Sequence, residues 1–292
     1  MILLILFLTG LFAGTLDAIA GGGGLISLPI LLSTGMPPHI AFGTNKLQGM
    51  TGTFFATLKY YRHGYISLKK TYLGIISGIT GSILGSIAAQ VISSDVLRKI
   101  IPVFLFIILI YTIMSPRMGQ KDDKAKMNEA LFYLVFGFSL AFYDGFFGPG
   151  TGSFWVFLLT YFLGFNLIKA TAYAKVFNLN SSFISMICFA IGGNIDYRLG
   201  LVMAAGQVIG GRLGAHLAIT KGARLIRPIF LGVVSLTIST LIYKTYAGSA
   251  LFVRITHQYG LAPQILGATI LIISLVVLYR KVIRRQQSQL QN

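Results

Sequence analysis

The residues able to do chemistry come in two matching sets. An acid, Asp17, stands just before Gly21, Gly22, Gly23 and Gly24 in an otherwise apolar segment. A second acid, Asp144, stands just before Gly148, Pro149, Gly150, Thr151 and Gly152. About thirty residues after each acid comes a lysine in a further apolar stretch, Lys46 and then Lys175. A charge at the centre of a bilayer costs roughly 2.5–3.5 kcal/mol on insertion scales, so intramembrane acids and lysines that recur mark function. Glycine costs a helix about 1 kcal/mol against alanine, and proline more, so both runs should break helices. Short helices are expected to restart at about Leu25 and Ser153. Their first N–H groups lack intrahelical partners and carry partial positive charge. Two such ends brought together would favour an anion.

Around the lysines the helices have a wet face. Lys46 has Asn45 and Gln48 as neighbours, and Lys175 has Asn178. Either lysine could bind an anion, or could snorkel to the interface, since each lies about a turn and a half inside its helix. Three roles stay open for Asp17 and Asp144: capping the freed amides, pairing with a lysine, or carrying a proton. Arg212 is a third intramembrane cation, without a counterpart in the first set. His216 reads as a core histidine. Asp95, Asp122, Asp123, Glu129 and Asp196 read as loop or helix-end charges. No metal-ligand cluster, nucleophilic triad or phosphate loop is present in the sequence, and neither catalysis nor a cofactor is expected.

The elements that must position these residues follow from composition. The chain has 292 residues, 55% hydrophobic and 11% charged, against roughly 25% charged in a soluble domain. Several uncharged stretches reach the ~20 residues a helix needs to cross the hydrocarbon core. The chain therefore reads as an all-α polytopic membrane protein. Its net charge of +17 does not signal nucleic acid, because the basic residues cluster in short loops as cytoplasmic loops do. The N-terminal apolar run lacks a positive leader and reads as a retained segment. The lone Cys188 rules out an intramolecular disulfide.

Shifted onto itself, the sequence pairs Asp17 with Asp144 and Gly21 with Gly148. With two residues inserted it pairs Ala41 with Ala170, Lys46 with Lys175, Phe54 with Phe183, Gly81 with Gly210 and Gly85 with Gly214. This gives a first repeat over 1–118, a cytoplasmic linker over 119–128, a second repeat over 129–247, and an extra helix with a basic tail over 248–292. Each repeat has a broken segment (2–32 and 129–163) and three ordinary helices, near 41–61, 71–93 and 99–115, then 170–190, 199–219 and 228–244. The extra helix lies near 262–283. If the broken segments cross once, loop lysines and arginines divide evenly between the two sides. If they enter and return as re-entrant hairpins, the basic loops gather on one side, as the positive-inside rule requires. Hairpins invert one repeat relative to the other and place the C-terminus in the cytoplasm. Gly74, Gly78, Gly81, Gly85, Gly206, Gly210 and Gly214 recur at helix-packing spacings, and such apolar faces would also allow a homodimer.

At these residues the chain resembles the sulfite exporter TauE/SafE family. The likeness lies in Gly10-Leu-Phe-Ala-Gly14 leading to Asp17 and the Gly21–Pro29 run, in Ala41-Phe-Gly-Thr-Asn-Lys46, in Gly145–Gly152, and in Gly210-Gly-Arg-Leu-Gly214. The resemblance implies a multi-pass permease of a bacterial or archaeal cytoplasmic membrane. Its substrate would be a small anion, such as sulfite or an organosulfonate, often exported. The second copy departs from the first, with Tyr173-Ala174-Lys175 in place of Thr44-Asn45-Lys46.

The reading that results is a secondary transporter working by alternating access. Lys46, Lys175 and the helix ends at Gly21–Gly24, Gly148, Gly150, Thr151 and Gly152 would hold the anion. Asn45, Gln48 and Asn178 would add hydrogen bonds, Arg212 is a further candidate, and Asp17 or Asp144 could couple to a proton. A passive anion channel is the alternative, and an intramembrane enzyme a remote one.

Overall fold

The computed structural model describes residues 2–97 and 122–221. The helices expected near 99–115, 228–244 and 262–283, and the basic tail, lie outside the described residues. Among the described residues the fold is all helical: α1 (Ile2–Ala20), α2 (Gly24–Ser33), α3 (Pro38–Arg62), a 3-10 turn (Leu68–Lys70), α4 (Tyr72–Val91), α5 (Glu129–Phe146), α6 (Thr151–Leu163), α7 (Leu167–Ile191) and α8 (Tyr197–Lys221).

Four of these helices, α1, α4, α5 and α7, are long and apolar enough to cross a membrane. The other two long helices, α3 and α8, have 25 residues each; α3 carries much of the polar lining described below, and α8 adds Gln207. The restarted helices α2 and α6 have 10 and 13 residues. At 1.5 Å per residue they reach roughly 15–20 Å, about half of the hydrocarbon thickness.

Local chemistry sets the boundaries. Asn128 caps α5 by accepting from the amides of Ala130 (2.9 Å) and Leu131 (3.2 Å). Asn166 caps α7 by accepting from the amide of Lys169 (3.0 Å). Asp196 accepts from the amide of Leu199 (2.9 Å) in the first turn of α8. The first break is narrower than the glycine run suggests. Gly24 already belongs to α2, and only Gly21, at φ +73°, leaves the helical region for the left-handed one. In the second break both Gly148 (φ +96°) and Gly150 (φ +85°) do so, and α6 restarts at Thr151, two residues earlier than expected.

The longest helix contacts come in two pairs: α1 lies along α8, and α5 along α4. Small residues make both contacts close. A Cβ added at Gly206, Gly210 or Gly214 of α8 would strike the backbone of α1 at Phe7, Leu11 or Thr15, and one added at Gly81 or Gly85 would strike α5 at Phe138 or Phe142. Membrane helices associate through such backbone approaches because lipid gives them no hydrophobic drive.

The two broken segments differ in what they pack against. In the second repeat, Phe132, Tyr133, Trp155, Tyr173 and Phe177 form a buried aromatic cluster. Within it the Trp155 and Phe177 rings stack at 4.3 Å. Residues of the first repeat contribute to a cluster of smaller side chains, Ala18, Ile19, Ala56 and Ile66 with Ala172 and Ala215, in which Tyr60 donates its hydroxyl to the carbonyl of Ala18 (2.9 Å).

Candidate functional site

The two breaks meet. Gly21 and Gly152 are in direct backbone contact, so that a Cβ on either would overlap the other. Gly24 faces Pro149. Across the junction the Ser153 hydroxyl donates to the carbonyl of Ala20, the last residue of α1 (2.7 Å).

Both lysines are buried, Lys46 at 3% exposure and Lys175 at 0%. Neither snorkels. Each pairs with the acid of the opposite repeat: Lys46 Nζ lies 2.9 Å from Asp144 Oδ1, and Lys175 Nζ lies 2.8 Å from Asp17 Oδ2. Lys46 also donates to the backbone carbonyl of Asp144. Buried charges persist when paired and hydrogen-bonded, and the crossed arrangement joins α3 to α5 and α7 to α1.

The acids have further partners. Asp144 Oδ1 accepts from the Thr151 hydroxyl (3.2 Å), and its Oδ2 accepts from Ser181 and, at 3.5 Å, from Ser182. Asp17 Oδ2 accepts from Thr53 (3.1 Å), and its Oδ1 from the amide of Gly23 (3.4 Å). Of the three roles the sequence leaves open, the structure shows pairing with a lysine for both acids, and an amide contact at the break for Asp17.

Beside this junction lies a cavity of about 50 Å³. About 10–15 Å³ of such space holds one water, so a few waters or a small anion would fill it. Its lining draws on both repeats. Gly21, Gly23, Gly24, Gly148, Gly150, Thr151 and Gly152 contribute the breaks; Asp17, Lys46 and Asp144 contribute charge; Asn45, Gln48, Thr53, Asn178, Ser182 and Gln207 contribute neutral polar groups. Backbone amides at the restarted helix ends bring partial positive charge to this wall.

The amides around the cavity are partly committed. Asn45 Oδ1 accepts from Ser27 (2.5 Å) and from Gln48 Nε2 (2.8 Å). Gln48 Oε1 and Asn178 Oδ1 are buried without a hydrogen-bond partner. An unsatisfied buried polar atom costs about 1–3 kcal/mol; both atoms are acceptors, so a donor such as water in the cavity would relieve that cost, whereas an anion would use the amide N–H groups of these side chains instead.

Of the residues singled out from sequence, Lys175 and Gly22 do not line the cavity; Lys175 reaches it only through Asp17. Arg212 is not brought to the site either. It is exposed, with its guanidinium 4.2 Å from the Phe55 ring. His216 is exposed rather than a core residue, because its face of α8 points away from the packed side that Gly210 and Gly214 make. Four polar residues at the site, Thr53, Ser181, Ser182 and Gln207, were not singled out. Thr53 and Ser182 had a usable signal: each follows its lysine by seven residues, two turns along the same helix face. Gln207 had none, as its counterpart in the first repeat is Gly78.

A chain of this kind, with membrane-length helices and two broken segments closing on a buried polar cavity, is a membrane transporter. More narrowly, it belongs to the sulfite exporter TauE/SafE family, whose model matches residues 6–241. It is 45% identical over 228 residues to a probable membrane transporter protein of Haemophilus influenzae, covering 78% of this chain and 89% of that one. It is 39% identical over 242 residues to the probable membrane transporter protein YfcA of Escherichia coli K12, covering 83% and 90%. It is 38% identical over 238 residues to the probable membrane transporter protein ORF9 of a Sinorhizobium species, covering 82% and 91%. No solved structure matches it.

Proposed function

We propose that the protein is a secondary transporter that carries a small oxyanion across a bacterial cytoplasmic membrane by alternating access. The observation that carries this reading is the cavity at the meeting of the two breaks. It is lined by the ends of two restarted helices and by Lys46, and it draws on both repeats. Discontinuous helices meeting at a repeat interface are a recurrent way to build a transporter's midplane site. Non-helical backbone at that depth is tolerated where it lines such a cavity.

The family's description names sulfite, and an organosulfonate presents a similar group of oxygens. The helix ends and Lys46 hold the anion, while Gln48, Asn178 and Asn45 supply hydrogen bonds. Lys175 acts through Asp17. Export is the direction that the description favours. The loop charges favour re-entrant hairpins, inverted repeats and a cytoplasmic C-terminus. A reporter fused at residue 1 that responds from the cytoplasm would overturn that topology.

The binding test is a thermal-shift screen of the purified full chain against sulfite, thiosulfate, sulfonates, carboxylates and phosphate. Sulfite or a sulfonate is expected to stabilise the protein. Lys46→Ala should weaken that binding by about tenfold or more, the scale of one lost charge-assisted contact. Unchanged binding in both Lys46→Ala and Lys175→Ala would show that the anion sits elsewhere.

A further inference from the structure

The charges around the cavity cancel. Asp17, Lys46 and Asp144 line it, and Lys175 stands directly behind Asp17. Two lysines and two carboxylates leave no net charge for an incoming anion. In a buried, water-poor site an uncompensated charge is expensive, since Coulomb energies rise as the effective dielectric falls. An anion that enters alone makes the cluster net negative and lies against two carboxylates. One proton delivered to either acid removes the conflict, because the cluster then carries +1 and matches a monovalent anion.

The two acids are not equal candidates for that proton. Asp144 is saturated: both its oxygens accept from side chains, Lys46 and Thr151 on Oδ1, Ser181 and Ser182 on Oδ2, and its side chain is 7% exposed. No acceptor position on Asp144 is left open toward the cavity without losing one of those donors. Asp17 concentrates its strong donors, Lys175 and Thr53, on Oδ2. Its Oδ1 has only the long contact to the amide of Gly23, and its side chain is 18% exposed.

The other titratable groups that face Asp17 come from three helices. From α7 there is Lys175; from α3, Lys46 and Tyr60, the latter committed to the carbonyl of Ala18; from α5, Asp144. The remaining walls contribute glycine backbone, Thr151 and the neutral Gln207.

We propose that the anion binds together with one proton, taken up on Oδ1 of Asp17. This rests on the anion-transporter reading above and adds to it the coupling ion and its seat. When Asp17 becomes neutral, the field of Lys175 is no longer cancelled and reaches the anion through the cavity wall. Binding a monovalent anion is then electroneutral, and anion and proton travel in the same direction. Asp144 keeps its contacts and holds Lys46 in place.

The test uses methanesulfonate, whose charge does not vary with pH, and the purified full chain in weakly buffered, sodium-free solution. Binding is expected to withdraw about one proton per anion, and affinity should rise up to about tenfold per pH unit as the solution is acidified. Asp17→Asn is expected to bind methanesulfonate with a pH-independent affinity and no proton uptake. If that variant does not fold, the proton count and pH slope of the native protein decide the matter. Anion binding without proton uptake overturns the proposal while leaving the anion site standing, and so does binding that requires sodium in place of protons. Failure of methanesulfonate and sulfite to bind at any pH overturns both readings together.

Discussion

The two ion pairs occupy equivalent places in the repeat but not equivalent environments. Lys46–Asp144 is enclosed, with 4% and 7% side-chain exposure and three hydroxyls around the carboxylate. Lys175–Asp17 has an equally buried lysine, but its acid is 18% exposed and receives one hydroxyl and one long amide contact. The surrounding helices differ in the same sense. In α3 the lysine is flanked by Thr44, Asn45 and Gln48; at the matching places α7 has Tyr173, Ala174 and Phe177, two of them in the aromatic cluster. The second half of the described chain supplies a buried aromatic cluster together with the acid of the closed pair, and the first supplies Asn45, Gln48 and Thr53 of the cavity wall and the acid of the looser pair.

The most severe way to probe that difference is to remove one acid at a time. Breaking a buried pair by deleting one partner typically costs about 3–5 kcal/mol, because the other charge is left unpaired. Asp144→Ala should reach that range, while Asp17→Ala should fall below it, since solvent in the cavity can reach Lys175 once the carboxylate is gone. Detergent thermal denaturation of the two variants checks the ordering. Adding Lys46→Met to Asp144→Ala should recover part of the loss. Equal losses from the two acids would mean that the pairs are interchangeable.

Next in size is the contact between the breaks. At Gly21 an added methyl group meets the backbone of Gly152, and the residue already has φ +73°. At Gly35 the φ is +88° with open space around the site. Left-handed strain alone costs a non-glycine residue about 1–3 kcal/mol. Gly35→Ala should therefore show that loss and nothing more, whereas Gly21→Ala should exceed it and also weaken anion binding by displacing α6 from α1. If the two alanine variants matched in both readouts, the close approach of the breaks would have no role in holding the site.

A finer comparison uses hydroxyls at the same repeat position. Thr53 donates to Asp17 at 3.1 Å, while Ser182 lies 3.5 Å from Asp144 as the weaker of two serines. A hydrogen bond to a charged group contributes about 1.5–3 kcal/mol. Thr53→Val should approach the lower end of that range in thermal stability, and Ser182→Ala should stay within about 0.5 kcal/mol of the native protein. The reverse ranking would place the better-held acid in the first repeat.

Much of this was legible in the sequence because membrane-spanning helices and glycine breaks leave strong local signals. The eight described helices fall within a few residues of the expected segments, and the repeat of Asp17 with Asp144 and Lys46 with Lys175 pointed to the four charges at the centre. The partners of those charges were not legible. A repeat alignment matches each acid with the lysine of its own copy as readily as with that of the other, and only the packing of α1 on α8 and α5 on α4 selects the crossed arrangement. Gln207 escaped because one glutamine in a glycine-rich helix has no pattern to mark it. Arg212 illustrates the converse. It is charged and flanked by glycines, yet its angular position on α8 turns it toward Phe55 and away from the cavity.

The smallest expected effect comes from the exposed ion pair at the start of α7, Asp122 of the loop before α5 with Lys169 of the first turn, at 3.5 Å and 53% and 33% exposure. Asp122 also accepts from the backbone amide (2.7 Å) and side-chain amide (2.9 Å) of Asn166 at the start of α7. The Asn166 backbone amide foremost, with the charge of Lys169 assisting, holds its carboxyl below the usual carboxylate range. A depressed carboxylate contributes stability above its unfolded value, near 4, and loses that contribution as the pH falls through the lower folded value. Acidification below about pH 4 should therefore loosen the docking of this loop on α7, and hydrogen exchange at the Asn166 amide would report it. At neutral pH solvent screens the pair, and exposed pairs are worth roughly 0–1 kcal/mol. Asp122→Asn should accordingly leave thermal stability almost unchanged and flatten the acid limb of the Asn166 exchange profile. A loss comparable to that of Asp17→Ala would show that burial does not set the ranking of these pairs, and the contrast between the enclosed and the cavity-facing acid would then need another cause.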